Sequence, residues 1–340
     1  MRVLLTGATG FVGLNIVQAL HAAGHDVLCH VRPQARRQYL DRLPVAVVAG
    51  QLGDVPGLAA AMRGIDAVIH TAGDTSCLPC DLPRLTETNV EGTRAVLEAA
   101  RRSGVRRVVY TSTTSTIGST ETPGMAADET MPLQAWRAAS PYGRTKLAAE
   151  TLVREARGVE GIVLNPAEVL GAWDHTLQWG RIVLAVASGR LPFMPPGSGT
   201  FAPAADVADA HVAALTRGVP GERYILGGHH LTFTRLITEM AIVTGGSAAP
   251  LSRRPYALQR LEAQLRQWLP PLAPPAVDAY RMRVFGGHHL FDDGKARQHL
   301  GYGAQPIRQA IEACFAWYRE HGFLPAAPDT PINTPQWKTA

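Results

Sequence analysis

The sequence predicts an α/β chain: a doubly wound parallel sheet with a smaller C-terminal lobe. Three observations predict it. Short apolar runs alternate with helix-periodic segments through the first half; a glycine-spaced turn, TGATGFVG at positions 6–13, separates the first run from the first helix; and the alternation breaks after Pro166. Strand after helix after strand implies parallel pairing through right-handed crossovers, with both faces of the sheet covered.

Strands are expected at 2–6, 27–31, 45–49, 66–70, 107–111 and 162–165. The intervening periodicity predicts helices at 11–23, 36–42, 55–63, 89–102 and 140–157. Beyond Pro166, the residues Pro192, Pro195, Pro196, Gly197 and Gly199 make a loop, and Pro250, Pro255, Pro270, Pro271, Pro274 and Pro275 separate isolated helices. The expected division is a nucleotide-binding domain at 1–166 with about 202–228 returning to it, a substrate lobe over most of 167–322, and an extended tail at 323–340. At 340 residues, 46% of them apolar, the chain is long enough for two lobes and rich enough to fold.

Charge excludes one class of partner. The chain has 33 basic and 28 acidic residues, and its basic pairs (Arg36-Arg37, Arg101-Arg102, Arg106-Arg107, Arg253-Arg254) are scattered rather than gathered into a stripe, so nucleic acid is not expected. No apolar run reaches the roughly 18 residues of a membrane span, nor the core of a signal peptide, so a cytoplasmic setting is expected. Cys29, Cys77, Cys80 and Cys314 are too few for a disulfide scaffold. The Cys77-Leu-Pro-Cys80 spacing lacks the second pair that a zinc site needs, so no metal site is expected.

Each glycine of the first turn has a mechanical role. Gly7 turns the strand sharply, Gly10 lets backbone approach a phosphate, and Gly13 lets the helix pack closely on the sheet. The helix N-terminus adds open N–H groups and partial positive charge, which makes the stretch a seat for a dinucleotide pyrophosphate. Where NAD-binding chains carry an acid after the second strand, this one has Arg32, with Arg36 and Arg37 a turn further. Guanidinium groups there suit the 2′-phosphate of NADP(H) over NAD(H); the plainer alternative is exposed surface arginines.

Tyr142 and Lys146, four residues apart, share one face of the 140–157 helix. The ammonium favours the phenolate and so tunes the tyrosine for proton transfer. The fifth strand ends in the hydroxyl cluster Tyr110-Thr111-Ser112-Thr113-Thr114-Ser115, from which a donor to a substrate oxygen can come.

TGATGFVG, His70-Thr-Ala-Gly73, Asn89-Val-Glu-Gly-Thr93, TSTTSTIG, Tyr142-xxx-Lys146 and Leu164-Asn-Pro166 stand in the order found in extended short-chain dehydrogenase/reductases. Gly221-Glu-Arg-Tyr-Ile-Leu-Gly-Gly228 and Lys295-Ala-Arg-Gln-His-Leu-Gly-Tyr302 extend the resemblance to about Gly322. Within that superfamily the chain most resembles the branch of dihydroflavonol reductases, 3β-hydroxysteroid dehydrogenases and hopanoid-associated sugar epimerases. The resemblance implies a Rossmann fold. It makes Tyr142 the proton donor and acceptor, Lys146 its tuner and a ribose ligand, and Thr113 the orienting hydroxyl, with Ser112 in reserve. It also implies cofactor contacts from Gly7, Thr9, Gly10, Phe11, Val12, Gly13, Arg32, Arg36, Gln51, Leu52, Ala72, Gly73, Asn89, Thr111, Asn165 and Pro166. Two departures stand out. Gln51 replaces the usual acid near adenine, and the segment Phe201-Ala-Pro-Ala-Ala-Asp206 lacks a histidine and one acid of the family pattern.

Two enzymatic readings follow. The first is an NADPH-dependent reductase, or the reverse dehydrogenase, acting on a bulky apolar ketone or alcohol, with Trp173, Trp179, Phe193, Met194 and Phe201 as lining or as ordinary core. The second is a sugar-nucleotide epimerase or dehydratase with retained NAD(P), using Arg181, Arg190, Arg253 or Arg254 against a diphosphate. A non-enzymatic NADP-binding protein is a third reading. Leu258, Leu261, Leu265, Trp268 and Leu269 recur at helical spacing, so that helix covers the cleft, rests transiently on a bilayer surface, or packs on the lobe. Helices 89–102 and 140–157 are expected to build a homodimer through Ala95, Ala99, Ala148 and Ala149, unless those alanines reflect helix propensity alone.

Overall fold

The structure is a computed structural model that describes residues 1–76, 79–252, 254–266 and 279–324. Cys77, Arg253, Trp268, Leu269, the prolines at 270, 271, 274 and 275, and the tail from Pro325 lie outside the described residues.

In chain order the elements begin with β1 (Arg2–Thr6), α1 (Phe11–Ala22), β2 (Asp26–Val31), β3 (Ala46–Ala49), α2 (Val55–Ala61) and β4 (Ala67–His70). A short helix α3 (Leu82–Leu85) runs through a π-helical turn (Thr86–Glu91) into α4 (Gly92–Ser103), followed by β5 (Arg107–Thr111). Then come β6 (Ala126–Ala127), α5 (Ala135–Ala138), α6 (Pro141–Arg154), β7 (Glu160–Pro166), β8 (Glu168–Leu170), α7 (Gly180–Ala187), β9 (Ser198–Pro203) and α8 (Ala204–Arg217). The remainder is β10 (Arg223–Leu226), β11 (His229–Thr232), α9 (Phe233–Thr244), α10 (Tyr256–Arg266), α11 (Ala279–Gly286), β12 (His288–Phe291), α12 (Gly294–Leu300) and α13 (Ile307–Glu320).

The chain forms two compact units. The first comprises Met1–Val169, Gly199–His230 and His288–Gln305; the last of these is a stretch that sequence reasoning leaves with the lobe. Its seven-stranded sheet has the order β10-β7-β5-β4-β1-β2-β3, so the winding reverses between β1 and β4. The strands pair in parallel, with Thr6 opposite His70, His70 opposite Tyr110 and Thr111 opposite Leu164, which brings four strand ends to one carboxyl edge. Leu4, Val68 and Val108 pack under α2 and α4, while Tyr110 and Val163 pack under α6. Thr111, one residue past Tyr110, points to the opposite face and meets His211 of α8, which itself packs on α1. Both faces are therefore covered by helices.

Several sequence expectations are corrected. The polar helix at 36–42 is absent: only a single 3₁₀ turn, Leu40–Arg42, forms, because Leu40 alone of that segment is buried. No apolar stripe stabilises a full helix there. The alanine face expected to build a homodimer is already covered within the chain. Ala95 and Ala99 lie in the core with Leu4 and Val68, and Ala149 packs with Tyr110, leaving Ala148 exposed.

The second unit comprises Leu170–Ser198, Leu231–Gly287 and the chain from Pro306. Helices α7, α9 and α13 pack on one another, Trp179 stacks on Phe233 at 5.8 Å and 13°, and the Tyr318 hydroxyl donates to the Asp174 carbonyl at 2.6 Å. In the same unit α10 lies on α11 through buried Ala263 and Met282, with the Tyr256 hydroxyl donating to the Met282 carbonyl. Its leucine stripe does not pack on the lobe: Leu258, Leu261 and Leu265 are 46, 50 and 56% exposed. No helix among the described residues is long and apolar enough to cross a membrane.

The glycine turn yields a paired test of this packing. A Cβ on Gly13 would overlap the Gly7 carbonyl, whereas one on Gly24, which has φ +74°, meets nothing within 4 Å. Gly13→Ala is expected to cost on the order of 1–3 kcal/mol or more through overpacking. Gly24→Ala should cost only its backbone strain, about 1 kcal/mol. Urea denaturation compares them, and equal losses would contradict the close α1–loop contact.

Candidate active site

The glycine turn fits a dinucleotide on its own geometry. Gly7 has φ +77°, and a Cβ there would stand 2.5 Å from the Ala72 backbone nitrogen, so β1 and the loop after β4 meet with no room for a side chain. A Cβ on Gly10 would lie 3.3 Å from the Gly7 carbonyl. No side chain caps α1, so the N–H groups of its first turn stay open at the point where the sheet's winding reverses. Gly7, Thr9, Gly10, Phe11, Val12 and Gly13 thus form a bare, electropositive cradle suited to a pyrophosphate, with Phe11 buried as the hinge of the helix onto the core.

Behind the cradle runs a buried hydrogen-bonded chain. Thr93 Oγ1 gives its single hydrogen to the Asn89 carbonyl at 2.6 Å and so accepts from His70 Nε2 at 3.0 Å. His70 Nδ1 is then left to accept from Thr6 Oγ1 at 2.7 Å, and Thr6 in turn accepts from the Ala72 N–H at 3.3 Å. Burial pulls the His70 imidazole down to about 3, with the Lys146 charge adding to the effect, so the ring is neutral. The chain fixes Ala72 and Gly73 relative to β1. Asn89 sits in the π-helical turn, where its side chain receives the Asp74 N–H (2.7 Å) and donates to the Asp74 carbonyl (3.0 Å) and Thr145 Oγ1 (3.1 Å).

The helix that carries Tyr142 and Lys146 starts at Ser140, whose hydroxyl caps the Gly143 N–H, with Pro141 in the first turn. Lys146 is 3% exposed and donates to the Thr111 carbonyl at 2.6 Å, its ammonium 4.2 Å from the centre of the Tyr110 ring. Burial lowers it to about 7, opposed by the negative charge of Glu150. A Cβ on Gly73 would stand 3.7 Å from its Nζ, so the lysine also reaches the loop after β4. Tyr142 is half-buried one turn earlier. Thr113 is half-buried too; its hydroxyl accepts from the Ser115 N–H at 3.2 Å and donates to Ser115 Oγ at 3.3 Å. Ser112, the reserve, turns inward and donates to Glu150 at 2.8 Å. Of these two hydroxyls only that of Thr113 stays accessible at the strand edge.

The other candidates divide. Arg32 and Arg36 are exposed just past β2 with no ion pair among the described residues, and Arg37 pairs with Asp41 at 3.6 Å. Gln51 is exposed at the end of the third strand, while Leu52 packs against Gly92 and the core beneath α4. Thr111 contributes its carbonyl to Lys146 but commits its hydroxyl to His211 at 2.7 Å. Asn165 and Pro166 are buried at the end of β7, and Asn165 Nδ2 lies 3.1 Å from the Thr113 carbonyl. Phe201 is fully buried in the first unit's core, and Trp179 is engaged with Phe233, so neither is an open lining residue; Trp173, Phe193 and Met194 are half-buried.

Sequence reasoning missed Glu150 and Arg223. Glu150 is 1% exposed, one further turn along α6 from Lys146, and pairs with Arg223 of β10 at 3.0 Å. Its other oxygen receives Ser112, Thr116 and Asn165 at 2.8, 2.8 and 2.9 Å. The spacing 142, 146, 150 on a helix face was the available signal.

Residues 3–227 match the model of the NAD dependent epimerase/dehydratase family. The chain belongs to that family. It is an enzyme of the extended short-chain dehydrogenase/reductase type. It is 32% identical to the sterol demethylase protein B of Methylococcus capsulatus over 330 residues, 95% of this chain and 100% of that one. It is 30% identical over 317 residues to a 4-hydroxy-2-methyl-3-oxo-4-farnesyl-3,4-dihydroquinoline-1-oxide ketoreductase of Stigmatella aurantiaca, covering 91% of this chain and 94% of the relative. A solved nucleoside-diphosphate-sugar epimerase from Pseudomonas aeruginosa superposes with a TM-score of 0.79 at 26% identity, over 96% of this chain and 99% of that one.

The buried histidines make stability depend on pH. Burial lowers His70 to about 3 and His211 to about 4, from 6.5. Below 6.5 the unfolded chain binds protons that the folded one refuses, so this contribution is complete above pH 6.5 and lost as pH falls toward 4. The loss is roughly 1.4 kcal/mol per pH unit for each ring. Burial raises Asp174 to about 6, which acts in the opposite sense over part of this range, so urea unfolding at pH 7.5 and 5.0 is compared with the same pair in His211→Gln. The variant should lose less on acidification, and an unchanged loss would mean that the ring is not held neutral.

Proposed function

We propose that the chain interconverts a ketone and a secondary alcohol on a bulky apolar substrate, using NADPH in a reducing cytoplasm. The observation that carries this reading is the convergence of Thr113, Tyr142 and buried Lys146 on one sheet edge beside the glycine cradle. When bound, the nicotinamide exchanges a hydride with the substrate carbon. Thr113 orients the substrate oxygen, Tyr142 exchanges the proton with it, and Lys146 stabilises the phenolate and holds the ribose. The first unit would serve the nucleotide, through the loop residues together with Ala72, Gly73, Asn89, Gln51 and Leu52, and with Asn165 and Pro166 shaping the nicotinamide pocket; the second would serve the substrate.

The apolar substrate class is supported by the chain's likeness to proteins named for a sterol and for a farnesylated quinoline. It is also supported by the exposed leucines of α10, flanked by exposed Arg254 and Arg260, through which a lipophilic molecule is collected at a bilayer surface. One observation favours sugar-nucleotide chemistry instead. Arg181 is lowered by burial and by the like charge of Arg281, a repulsion that a diphosphate would relieve, and one similar structure is a nucleoside-diphosphate-sugar epimerase. The deciding assay offers both substrate classes. The expected outcome is NADPH oxidation with apolar cyclic or long-chain ketones and none with UDP- or GDP-sugars, while Tyr142→Phe lowers the rate by roughly a hundredfold or more. Epimerisation of a sugar nucleotide without net NADPH change would establish the second reading.

Cofactor choice is tested separately. A charge-assisted contact from Arg32 or Arg36 to a 2′-phosphate contributes about 1.5–3 kcal/mol, or roughly tenfold to a hundredfold in affinity. Arg32→Glu should remove most of the preference for NADPH in calorimetry. Tighter binding of NADH by the unaltered protein would reject the assignment.

A further inference from the structure

We propose that Glu150 is a positioning residue of the active site: held by Arg223, its carboxylate fixes the helix bearing Tyr142 and Lys146 against the turn bearing Thr113, and its charge opposes the loss of the Lys146 proton. The inference rests on the role given to Lys146 above, and no part of the family resemblance assigns it.

The two oxygens of Glu150 bind different sets of partners. Oε1 accepts from Arg223 at 3.0 Å, whose guanidinium also donates to the Glu129 carbonyl, while Glu129 Oε1 accepts the Ile225 N–H at 2.9 Å. Oε2 gathers Ser112 from the end of β5, Thr116 from the turn after it and Asn165 from β7. Asn165 also bonds the Thr113 carbonyl at 3.1 Å, and Thr116 Oγ1, 2.8 Å from that carbonyl and from Glu150, shares its single hydrogen between them. The Glu150 carboxylate therefore ties α6 to the turn that carries Thr113, alongside the bond from Lys146 to the Thr111 carbonyl.

The surroundings of Lys146 leave Glu150 without a rival. From β4 comes neutral His70, from β5 the ring of Tyr110 and the Thr111 carbonyl, and from its own helix Tyr142 and Glu150. Asp74, beyond Gly73, is paired with Arg84. Glu150 is the group that raises the proton affinity of Lys146 against burial, and Arg223 partly masks it. Removing the two partners must then act in opposite directions. Glu150→Gln keeps the shape and one acceptor oxygen, turns an amide NH2 toward one set of donors, and deletes the anion, so Lys146 gives up its proton more easily. Arg223→Gln unmasks the anion, so Lys146 holds its proton more firmly.

The chain has three lysines, Lys146, Lys295 and Lys338, so their side-chain NMR signals can be followed singly in protein without nucleotide, with Lys146→Met giving the assignment. The expected result is a Lys146 titration near pH 7 that moves down by at least tenfold in proton affinity in Glu150→Gln and up in Arg223→Gln. Glu150→Asp, which retains the charge, should return it toward the original value and supplies the test if the glutamine variant does not fold. The alkaline limb of the rate profile should shift in the same two directions. Unchanged titrations, or shifts of one sign in both variants, would overturn the proposal. Normal turnover in Tyr142→Phe would instead overturn the catalytic reading and leave the titration result standing.

Discussion

A cation with almost no contact with water is the constraint around which the first unit is arranged. Lys146 is 3% exposed, and an ammonium so placed is stable only where fixed dipoles and an opposite charge replace its hydration. The Thr111 carbonyl, the Tyr110 ring and Glu150 supply them. Each brings a further requirement. Glu150 must itself be neutralised, which recruits Arg223 from the outermost strand of the sheet. His70 must remain neutral, which it does by burial and by a threonine at each ring nitrogen.

That dependence explains why the polar groups of the edge form two separate systems. One joins Ala72, Thr6, His70, Thr93 and Asn89, and it holds the loops beside the glycine cradle. The other joins Ser112, Thr116, Asn165, Glu150 and Arg223, and it holds the turn that carries Thr113. Lys146 stands between them, one helical turn from Glu150 and close to Gly73 and Asn89. Buried hydrogen-bonded networks of this kind fix side chains that loops alone would leave free.

The parts legible in the sequence are those with a local cause. Strand and helix alternation, the glycines of the first turn and the four-residue spacing of Tyr142 and Lys146 are all set within a few residues, and the structure places them at the carboxyl edge. Arg36 to Arg42 misleads because a polar run with helix-compatible residues has propensity but, apart from Leu40, nothing to bury. Phe201 and the alanines of α4 and α6 mislead for the opposite reason, since a sequence shows an apolar residue without showing which surface it covers. Glu150 and Arg223 lie 73 positions apart, and Asn165 joins them from β7; only the parallel packing of β5, β7 and β10 makes them one group.

Cofactor recognition and substrate recognition make different demands on charge. At the end of β2, Arg32 and Arg36 are exposed and unpaired among the described residues, so their charge is available to a ligand at little desolvation cost. In the second unit Arg254 is already paired with Glu262 at 3.0 Å, and Arg181 gives its Nε to the Leu177 carbonyl at 2.6 Å. A diphosphate would have to compete for those groups, whereas an apolar body would leave their bonds intact. Arg181 still carries the repulsion of Arg281, so the balance turns on whether that repulsion exceeds what the paired arginines lose on leaving their partners. Exposed pairs of this kind contribute about 0–1 kcal/mol, too little to bar a doubly charged ligand by themselves. If the proposed reductase rejects sugar nucleotides, the rejection has to come from apolar surface in the second unit that offers the hydroxyl groups of a sugar no partners, not from a shortage of positive charge.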